Sequence, residues 1–397
     1  MTATLETTLS IALLTPMDHP GDPMCRWGAP ILFWGSPGIG KSGRIGQVSA
    51  ACDLHMETLY LSTLQPEDIS GIPMEDKETG GARRVCDLPQ ILNLIKLQRG
   101  VLLLDELSCA RPAVQGASLG LVYERTIAGK RLPGGIRVVS AANPPEEAAG
   151  GWVPPPPTVN RFMHIDVPVP EISEWVSWLL HGSQTNVVPI AQGEAVVLNG
   201  WENVWPRIAG LGAGFMNRHN DKKKLYNLPK EGARDRGRAW PSPRSWEAAL
   251  RAVATAEILG MKDNGIDMLI ASVGLGLAAE WAEWVAYANL PDPKDVLENG
   301  WRADKRRLDI AFAVYSSAIA FALNKTDEAA RRKYAILAWN LLEQAVKDNL
   351  GDIALAPAGA LTNAGYVMRA GPDVAAACKV VLSHLGTTGI INHQRKA

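Results

Sequence analysis

One short segment near the start of the chain has the residue types and spacing of a phosphate-binding loop. Gly35 to Ser42 read Gly-Ser-Pro-Gly-Ile-Gly-Lys-Ser, which fits the pattern G-x-x-x-x-G-K-[ST]. Glycine is required in such a loop because a side chain would block its positive φ angles or its close approach to phosphate oxygens. Lys41 would neutralise the β and γ phosphates of a nucleotide, and the Ser42 hydroxyl would hold Mg²⁺. We expect nucleotide contacts from Gly35, Pro37, Gly38, Ile39, Gly40, Lys41, Ser42 and Gly43.

Two adjacent carboxylates are the second candidate for chemistry. Asp105 and Glu106 directly follow the aliphatic run from Val101 to Leu104. Asp105 would contact Mg²⁺, commonly through a water, and Glu106 would polarise the water that attacks the γ phosphate. Two acids after a strand can also be a solvated strand end, so this assignment depends on the upstream loop.

A polar side chain after another apolar run is the third candidate. Asn143 follows the run from Ile136 to Ala141. An amide at the end of a strand next to the carboxylate strand can hydrogen-bond both the attacking water and the γ phosphate. The pair Asn143-Pro144 is also a common start of a turn, and this alternative stays open.

Continuous apolar runs are the elements that would position these groups. Ile31–Trp34, Val101–Leu104 and Ile136–Ala141 are typical of strands buried on both faces of a parallel sheet. Ligands bind at the carboxyl ends of such strands, where the loop, the carboxylates and Asn143 would meet. We also predict a strand at 58–62 and helices at 5–16 and 111–124.

Two further segments, 66–85 and 126–135, carry glycines among charges and are predicted to project from the sheet as loops or hairpins. Their basic residues are Lys77, Arg83, Arg84, Lys130 and Arg131. Neither segment contains an aromatic-hydrophobic pair, so the residue types do not support threading of a polypeptide. Each side chain could equally be a solvated loop residue.

In order and spacing, residues 30 to 166 resemble the AAA+ ATPases of the MoxR branch. The matching segments are 35–42, Glu67-Asp68-Ile69-Ser70-Gly71, Leu104-Asp105-Glu106-Leu107, Ala141-Ala142-Asn143-Pro144-Pro145 and Asn160-Arg161-Phe162, with a later match at Pro241-Ser242-Pro243-Arg244-Ser245-Trp246. The resemblance implies an α/β fold: an AAA+ P-loop αβα sandwich with a parallel sheet, then an all-α lid and a C-terminal helical region.

The resemblance also implies roles for two arginines. Arg161 would be an arginine finger that enters a neighbouring subunit's nucleotide site, where such fingers contribute about 10³ to 10⁵ in rate. Arg244 would be a second sensor that folds the lid onto the γ phosphate of its own subunit. Two alternatives stay open: Arg161 could cap the helix before the strand at 162–167, and Arg244 could belong to an ordinary helix entry after Pro243.

By the same resemblance, ATP and Mg²⁺ are the cofactors, and the chain forms a homo-oligomer, expected to be a hexameric ring. The implied partner is a protein with a von Willebrand A-type domain, which the ATPase would remodel or mature as a chaperone does. Two other classes stay open: a nucleic-acid-associated motor or loader, and a nucleotide-dependent scaffold. Four segments are expected: a core at 1–170, a helical and loop connector at 171–245, a lid at 246–300 and a C-terminal helical region at 301–397.

Composition narrows the partners further. The 397 residues carry a formal net charge of -1, which argues against a protein that coats nucleic acid through bulk electrostatics. The segment 218–244 differs from this overall balance, because it contains nine Lys or Arg and only three acids. This stretch could contact an acidic partner or nucleic acid, or be a solvated linker. The five cysteines lack C-x-x-C spacing, and no apolar stretch is long enough for a membrane span, so we expect a cytoplasmic protein.

Overall fold

The computed structural model describes residues 5–75, 80–148, 151–181, 187–233, 236–366 and 381. Lys77 and Arg234 lie outside these residues, as do Cys378 and most of the chain beyond 366. The chain divides into a first unit, Met1–Asn199 with Leu225–Ala278, and a second unit, Gly200–Lys224 with Ala279–Ala397. The division into four segments stays a prediction.

The centre of the first unit is a parallel sheet of five strands. They are β1 (Ile31–Trp34), β2 (Met56–Tyr60), β5 (Arg99–Asp105), β8 (Gly135–Ala142) and β9 (Met163–Asp166). Their order across the sheet is β2-β5-β8-β1-β9, and every neighbouring pair is parallel. Two antiparallel hairpins lie outside it: β3 (Ile72–Glu75) with β4 (Ala82–Val85), and β6 (Thr126–Ile127) with β7 (Lys130–Arg131). Both predicted hairpins are therefore confirmed.

Helices cover the sheet on both faces. The helices that lie in the first unit are α1 (Leu5–Leu14), α2 (Lys41–Ala51), α3 (Pro66–Ser70), α4 (Pro89–Leu97), α5 (Pro112–Leu119), α6 (Pro156–Val159), α7 (Ile172–His181), α10 (Pro243–Ile258) and α11 (Gly265–Val273). Leu32, Leu102 and Val138 share a buried cluster with Ile91 of α4 and Val114 of α5. Because side chains alternate along a strand, Phe33, Leu103 and Val139 are directed to the opposite face. The predicted α/β sandwich is confirmed.

Three predicted elements have different boundaries in the structure, and the first is α1, which ends at Leu14 and not at residue 16. The strand expected at 58–62 runs over Met56–Tyr60, and a short 3₁₀ turn, Leu61–Thr63, follows it. The helix expected at 111–124 is α5 followed by a π-helical turn at Gly120–Glu124. This turn ends at Arg125, whose φ is 54° and whose buried guanidinium donates to the carbonyl oxygens of Ile136 and Gly28. These hydrogen bonds hold Arg125 in place, so contacts with distant residues, and not the local helix propensity, determine where the helix ends.

The second unit is helical. Among the described residues, four helices lie wholly in it: α13 (Pro293–Asn299), α14 (Leu308–Leu323), α15 (Glu328–Lys347) and α16 (Gly351–Asn363). The division between the units cuts three others, α8 (Ile190–His219), α9 (Lys222–Leu225) and α12 (Leu275–Ala288). Trp281 and Trp284 are buried, and Nε1 of Trp284 donates to the carbonyl oxygen of Leu211 at 2.9 Å, so both side chains belong to the core of this unit. Among helices within the described ranges, none has the length and apolar composition needed to cross a bilayer.

Candidate nucleotide-binding site

The backbone of the predicted phosphate-binding loop has the conformation that its glycines permit. Gly38 and Gly40 both have φ of +83°, and Gly40 precedes the first residue of α2. A Cβ at Gly35 would lie 2.8 Å from the carbonyl oxygen of Val167, so a side chain does not fit there. No side chain caps the amino end of α2, which leaves its first N–H groups available to an anion.

The ammonium group of Lys41 joins the loop to a distant strand end. Its Nζ donates to the carbonyl oxygens of Gly35 and Ser36 at 2.7 and 3.0 Å. It also donates to Oδ1 of Asn143 at 2.8 Å. Burial lowers the pKa of Lys41 below its usual value, against the attraction of nearby carboxylates. Two of the predicted site residues, 102 positions apart, are thus in direct contact.

The hydroxyl of Ser42 and the carboxylate of Asp105 form a second contact across the site. Ser42 Oγ donates to Oδ2 of Asp105 at 2.6 Å, and Oδ1 accepts the N–H of Glu106 at 2.8 Å. Mg²⁺ prefers oxygen ligands in octahedral geometry at about 2.0–2.1 Å, so two neighbouring ligand oxygens lie roughly 2.9 Å apart. The hydroxyl of Ser42 and the carboxylate of Asp105 are hydrogen-bonded at a shorter distance, but they are the oxygen donors that Mg²⁺ prefers and are the residues that would hold it.

Glu106 is held by a residue that sequence reasoning missed. Its φ is 60°, a left-handed conformation, and its carboxylate accepts a hydrogen bond from Oγ of Ser62. Ser62 lies in the 3₁₀ turn after β2, the strand next to β5. Because the sequence prediction placed Ser62 inside a strand, its hydroxyl did not stand out. A hydroxyl residue directly after a strand that neighbours the carboxylate strand is the signal that could have found it.

Arg161 lies at the opposite edge of the sheet, two residues before β9. Its Nη1 donates to the carbonyl oxygen of Pro157 at 2.9 Å, and its Nη2 donates to Oε1 of Glu124 at 3.1 Å. The side chain is only 15% exposed. Within its own chain Arg161 thus caps α6, which was the alternative reading. Its action on a neighbouring subunit stays a prediction.

Arg244 lies close to Arg161 and not at the phosphate-binding loop. Its guanidinium carbon is 4.9 Å from the ring centroid of Tyr123, and both arginines line one small cavity together with Pro30 and Met163. Pro30 and Met163 mark the amino ends of β1 and β9, whereas Gly35 and Asp105 mark carboxyl ends. The resemblance implied that Arg244 would reach the γ phosphate of its own subunit. The structure instead places Arg244 at the amino edge of the sheet, away from the phosphate-binding loop.

A buried hydrogen-bond network explains where α10 begins. Nδ2 of Asn160 donates to the carbonyl oxygen of Trp240 at 3.0 Å, and Oδ1 accepts from Oγ of Ser242 at 2.8 Å. Ser242 and Ser245 form a reciprocal capping box at the start of α10. Because Asn160 precedes Arg161 and Ser242 lies two residues before Arg244, this network keeps the two arginines on the same edge of the sheet.

A buried histidine links the strand before the loop to α6. Nε1 of Trp34 donates to Nδ1 of His164 at 2.9 Å, so Nε2 carries the hydrogen and donates to the carbonyl oxygen of Val159 at 2.9 Å. Burial lowers the pKa of His164 to about 4. The imidazole is therefore neutral wherever the fold is intact near neutral pH.

Parts of the chain are similar to two known proteins. No family model matches the chain. A segment of 169 residues, 41% of the chain, is 27% identical to Midasin from Giardia intestinalis. That segment corresponds to only 3% of the length of Midasin. The crystal structure of a candidate ATPase from Cytophaga hutchinsonii aligns with 68% of this chain and 83% of its own, at 18% identity and a TM-score of 0.38, too low to support a conclusion. By strand order and by the position of its loop, the first unit is an αβα sandwich whose candidate phosphate-binding loop joins strand β1 to α2.

Proposed function

We propose that the chain is an AAA+ ATPase that hydrolyses ATP with Mg²⁺. The observation that carries this proposal is the joining of Lys41 to Asn143 and of Ser42 to Asp105 at the carboxyl edge of one parallel sheet. The free N–H groups of α2 bind phosphate oxygens, and Lys41 exchanges its loop carbonyls for a phosphate. Bound Mg²⁺ would supply charge neutralisation at the β and γ phosphates.

Glu106 is the residue that accepts a proton in this scheme. A carboxylate oxygen of Glu106 takes the proton of the attacking water, while the Ser62 hydroxyl restricts the carboxylate to one orientation. Asn143 orients the same water or the γ phosphate once Lys41 has left it.

The first test is Glu106→Gln. A general base contributes about 10² to 10⁴ in rate, so steady-state turnover falls by that factor while ATP affinity stays within about twofold. Glu283→Gln, an exposed acid of the second unit, is the matched control and keeps wild-type turnover. Normal turnover in Glu106→Gln would remove this residue from the mechanism. Lys41→Ala, by contrast, should lose ATP binding itself, because Lys41 contacts a phosphate in this proposal.

We further propose that each site is completed by a neighbouring copy of the chain. The support is geometric: the loop is at the carboxyl edge of the sheet, and Arg161 and Arg244 are at the amino edge. Arg161→Ala then lowers turnover but not ATP affinity, and mixing it with Lys41→Ala subunits restores part of the activity through hybrid interfaces. If well-mixed assemblies recover no activity, Arg161 does not act in trans.

The resemblance alone supports a finer assignment: a hexameric ring of the MoxR branch that remodels a protein partner with a von Willebrand A-type domain. The test is a pull-down with Glu106→Gln in ATP, with Lys41→Ala as background. Recovery of an A-domain protein above that background supports the assignment. Its absence, together with a non-hexameric mass in ATP, would contradict it.

A further inference from the structure

The second unit contains two basic turns of similar sequence, the first of which is the short helix α9 with the aspartate before it. They are Asp221-Lys222-Lys223-Lys224 and Asp304-Lys305-Arg306-Arg307. In each turn, Oδ1 of the aspartate accepts the N–H two residues further on at 2.9 Å. Its carbonyl oxygen accepts the N–H three residues further on, at 3.0 Å in the first turn and 2.9 Å in the second. Each turn carries three successive basic residues, of which the first two, Lys222 and Lys223 or Lys305 and Arg306, are exposed.

An aromatic side chain brings the two turns to one surface. The guanidinium carbon of Arg218, just before the first turn, lies 4.7 Å from the ring centroid of Tyr287. That of Arg307, at the end of the second turn, lies 4.1 Å from the same centroid, and its Nη2 donates to the carbonyl oxygen of Tyr287 at 3.1 Å. Tyr287 is 47% exposed. We call 218–224, 302–307 and Tyr287 the two-turn surface.

The charge of this surface is positive although the chain is nearly neutral. Each of its two segments contains four Lys or Arg and one acid. The two acids accept backbone N–H groups. Two acids from outside the segments pair with their cations: Asp309 with Arg218 at 2.7 Å, and Glu280 with Lys224. Five exposed cations have no ion pair with any residue that the structure describes: Lys222, Lys223, Arg302, Lys305 and Arg306.

We propose that the two-turn surface binds single-stranded nucleic acid. Phosphates spaced along a flexible backbone suit two cationic turns, and a base can pack against the exposed part of Tyr287 and the guanidinium planes of Arg218 and Arg307 beside it. An acidic protein segment would use the cations but would gain nothing from the planar stack, so the aromatic centre favours nucleic acid. This proposal does not depend on ATP hydrolysis, because all its residues lie in the second unit.

The test is fluorescence anisotropy of a labelled oligothymidylate of about 20 nucleotides with the full chain in rising NaCl. Five phosphate contacts predict a slope of about -3.5 for log K against log salt. At 0.1 M salt each phosphate contact raises the affinity for the oligonucleotide about fivefold. The double variants Lys222→Gln/Lys223→Gln and Lys305→Gln/Arg306→Gln each remove two contacts, so each should weaken binding about 25-fold and reduce the slope to about -2.1. Tyr287→Ser weakens binding with the slope unchanged.

The matched control is Arg332→Gln/Lys333→Gln, an exposed neighbouring pair on α15 of the same unit, which keeps wild-type affinity. Circular dichroism of each variant checks the fold. The proposal is overturned if the wild-type chain does not bind at low salt, or if the control pair weakens binding as much as the turn variants. Tighter binding to polyglutamate than to the oligonucleotide would instead identify an acidic protein as the partner and also overturn it.

Discussion

Replacement of His164 by glutamine provides a quantitative test of the link between β1 and α6. The imidazole accepts from Trp34 and donates to Val159, and a glutamine amide can do both. In the fold the pKa of His164 lies at about 4, because burial disfavours the charged form. The charge of Arg238 acts in the same direction, and that of Asp166 acts against both.

The sign and size of the effect follow from these values. Between the ordinary pKa of about 6.5 and the folded value of about 4, the unfolded chain binds a proton that the folded chain does not. The contribution of His164 to the free energy of unfolding is therefore fully present above about pH 6.5 and is lost as the pH falls to 4. At about 1.4 kcal/mol per pKa unit, the loss is about 3 kcal/mol.

Urea unfolding followed by tryptophan fluorescence between about pH 7.5 and pH 4 measures this difference. Carboxylates titrate in both proteins, so the informative quantity is the wild-type curve minus the His164→Gln curve. We expect the wild-type protein to lose about 3 kcal/mol more than the variant over this range. Parallel curves would show that His164 is not buried as a neutral group and would refute the reasoning.

Three further substitutions test other parts of the site. Ser62→Ala leaves the Glu106 carboxylate without its hydroxyl donor. A hydrogen bond to a charged group contributes about 1.5–3 kcal/mol, so we expect kcat to fall about 10- to 100-fold with KM unchanged. Gly40→Ala strains a left-handed residue by about 1–2 kcal/mol and weakens ATP binding in a fluorescent-nucleotide titration. Gly300→Ala, at φ of 76° and ψ of 161°, strains the backbone at least as much but leaves ATP affinity unchanged. Asn160→Ala removes two buried hydrogen bonds and lowers the free energy of unfolding by about 2–4 kcal/mol in urea titrations.

Much of the nucleotide site could be predicted from the sequence because its signals are local. The glycines of the loop, the aliphatic run before Asp105 and the run before Asn143 each indicate a strand followed by a ligand-binding turn. Parallel strands present their carboxyl ends at one edge, so the meeting of Lys41 with Asn143 follows from the element types alone.

Other features depend on packing between distant segments, which no local pattern encodes. The position of Arg244 is set by the hydrogen bonds of Asn160 to the chain before α10, 80 and more residues away. The hydroxyl of Ser62 reaches Glu106 only because β2 ends two residues earlier than its β-rich sequence suggested. The two basic turns match in sequence, but only the ring of Tyr287 places them on one surface.

The opposite placement of Lys41 and Arg161 on one sheet constrains any assembly in which they meet. Such contacts are head-to-tail, because each copy offers one edge to the copy ahead and the other to the copy behind. In a linear row, the phosphate-binding loop of one terminal copy would always lack a neighbour's arginine. In a closed circle, every loop would have one. Specific activity per copy would then rise on closure even though no individual interface changes.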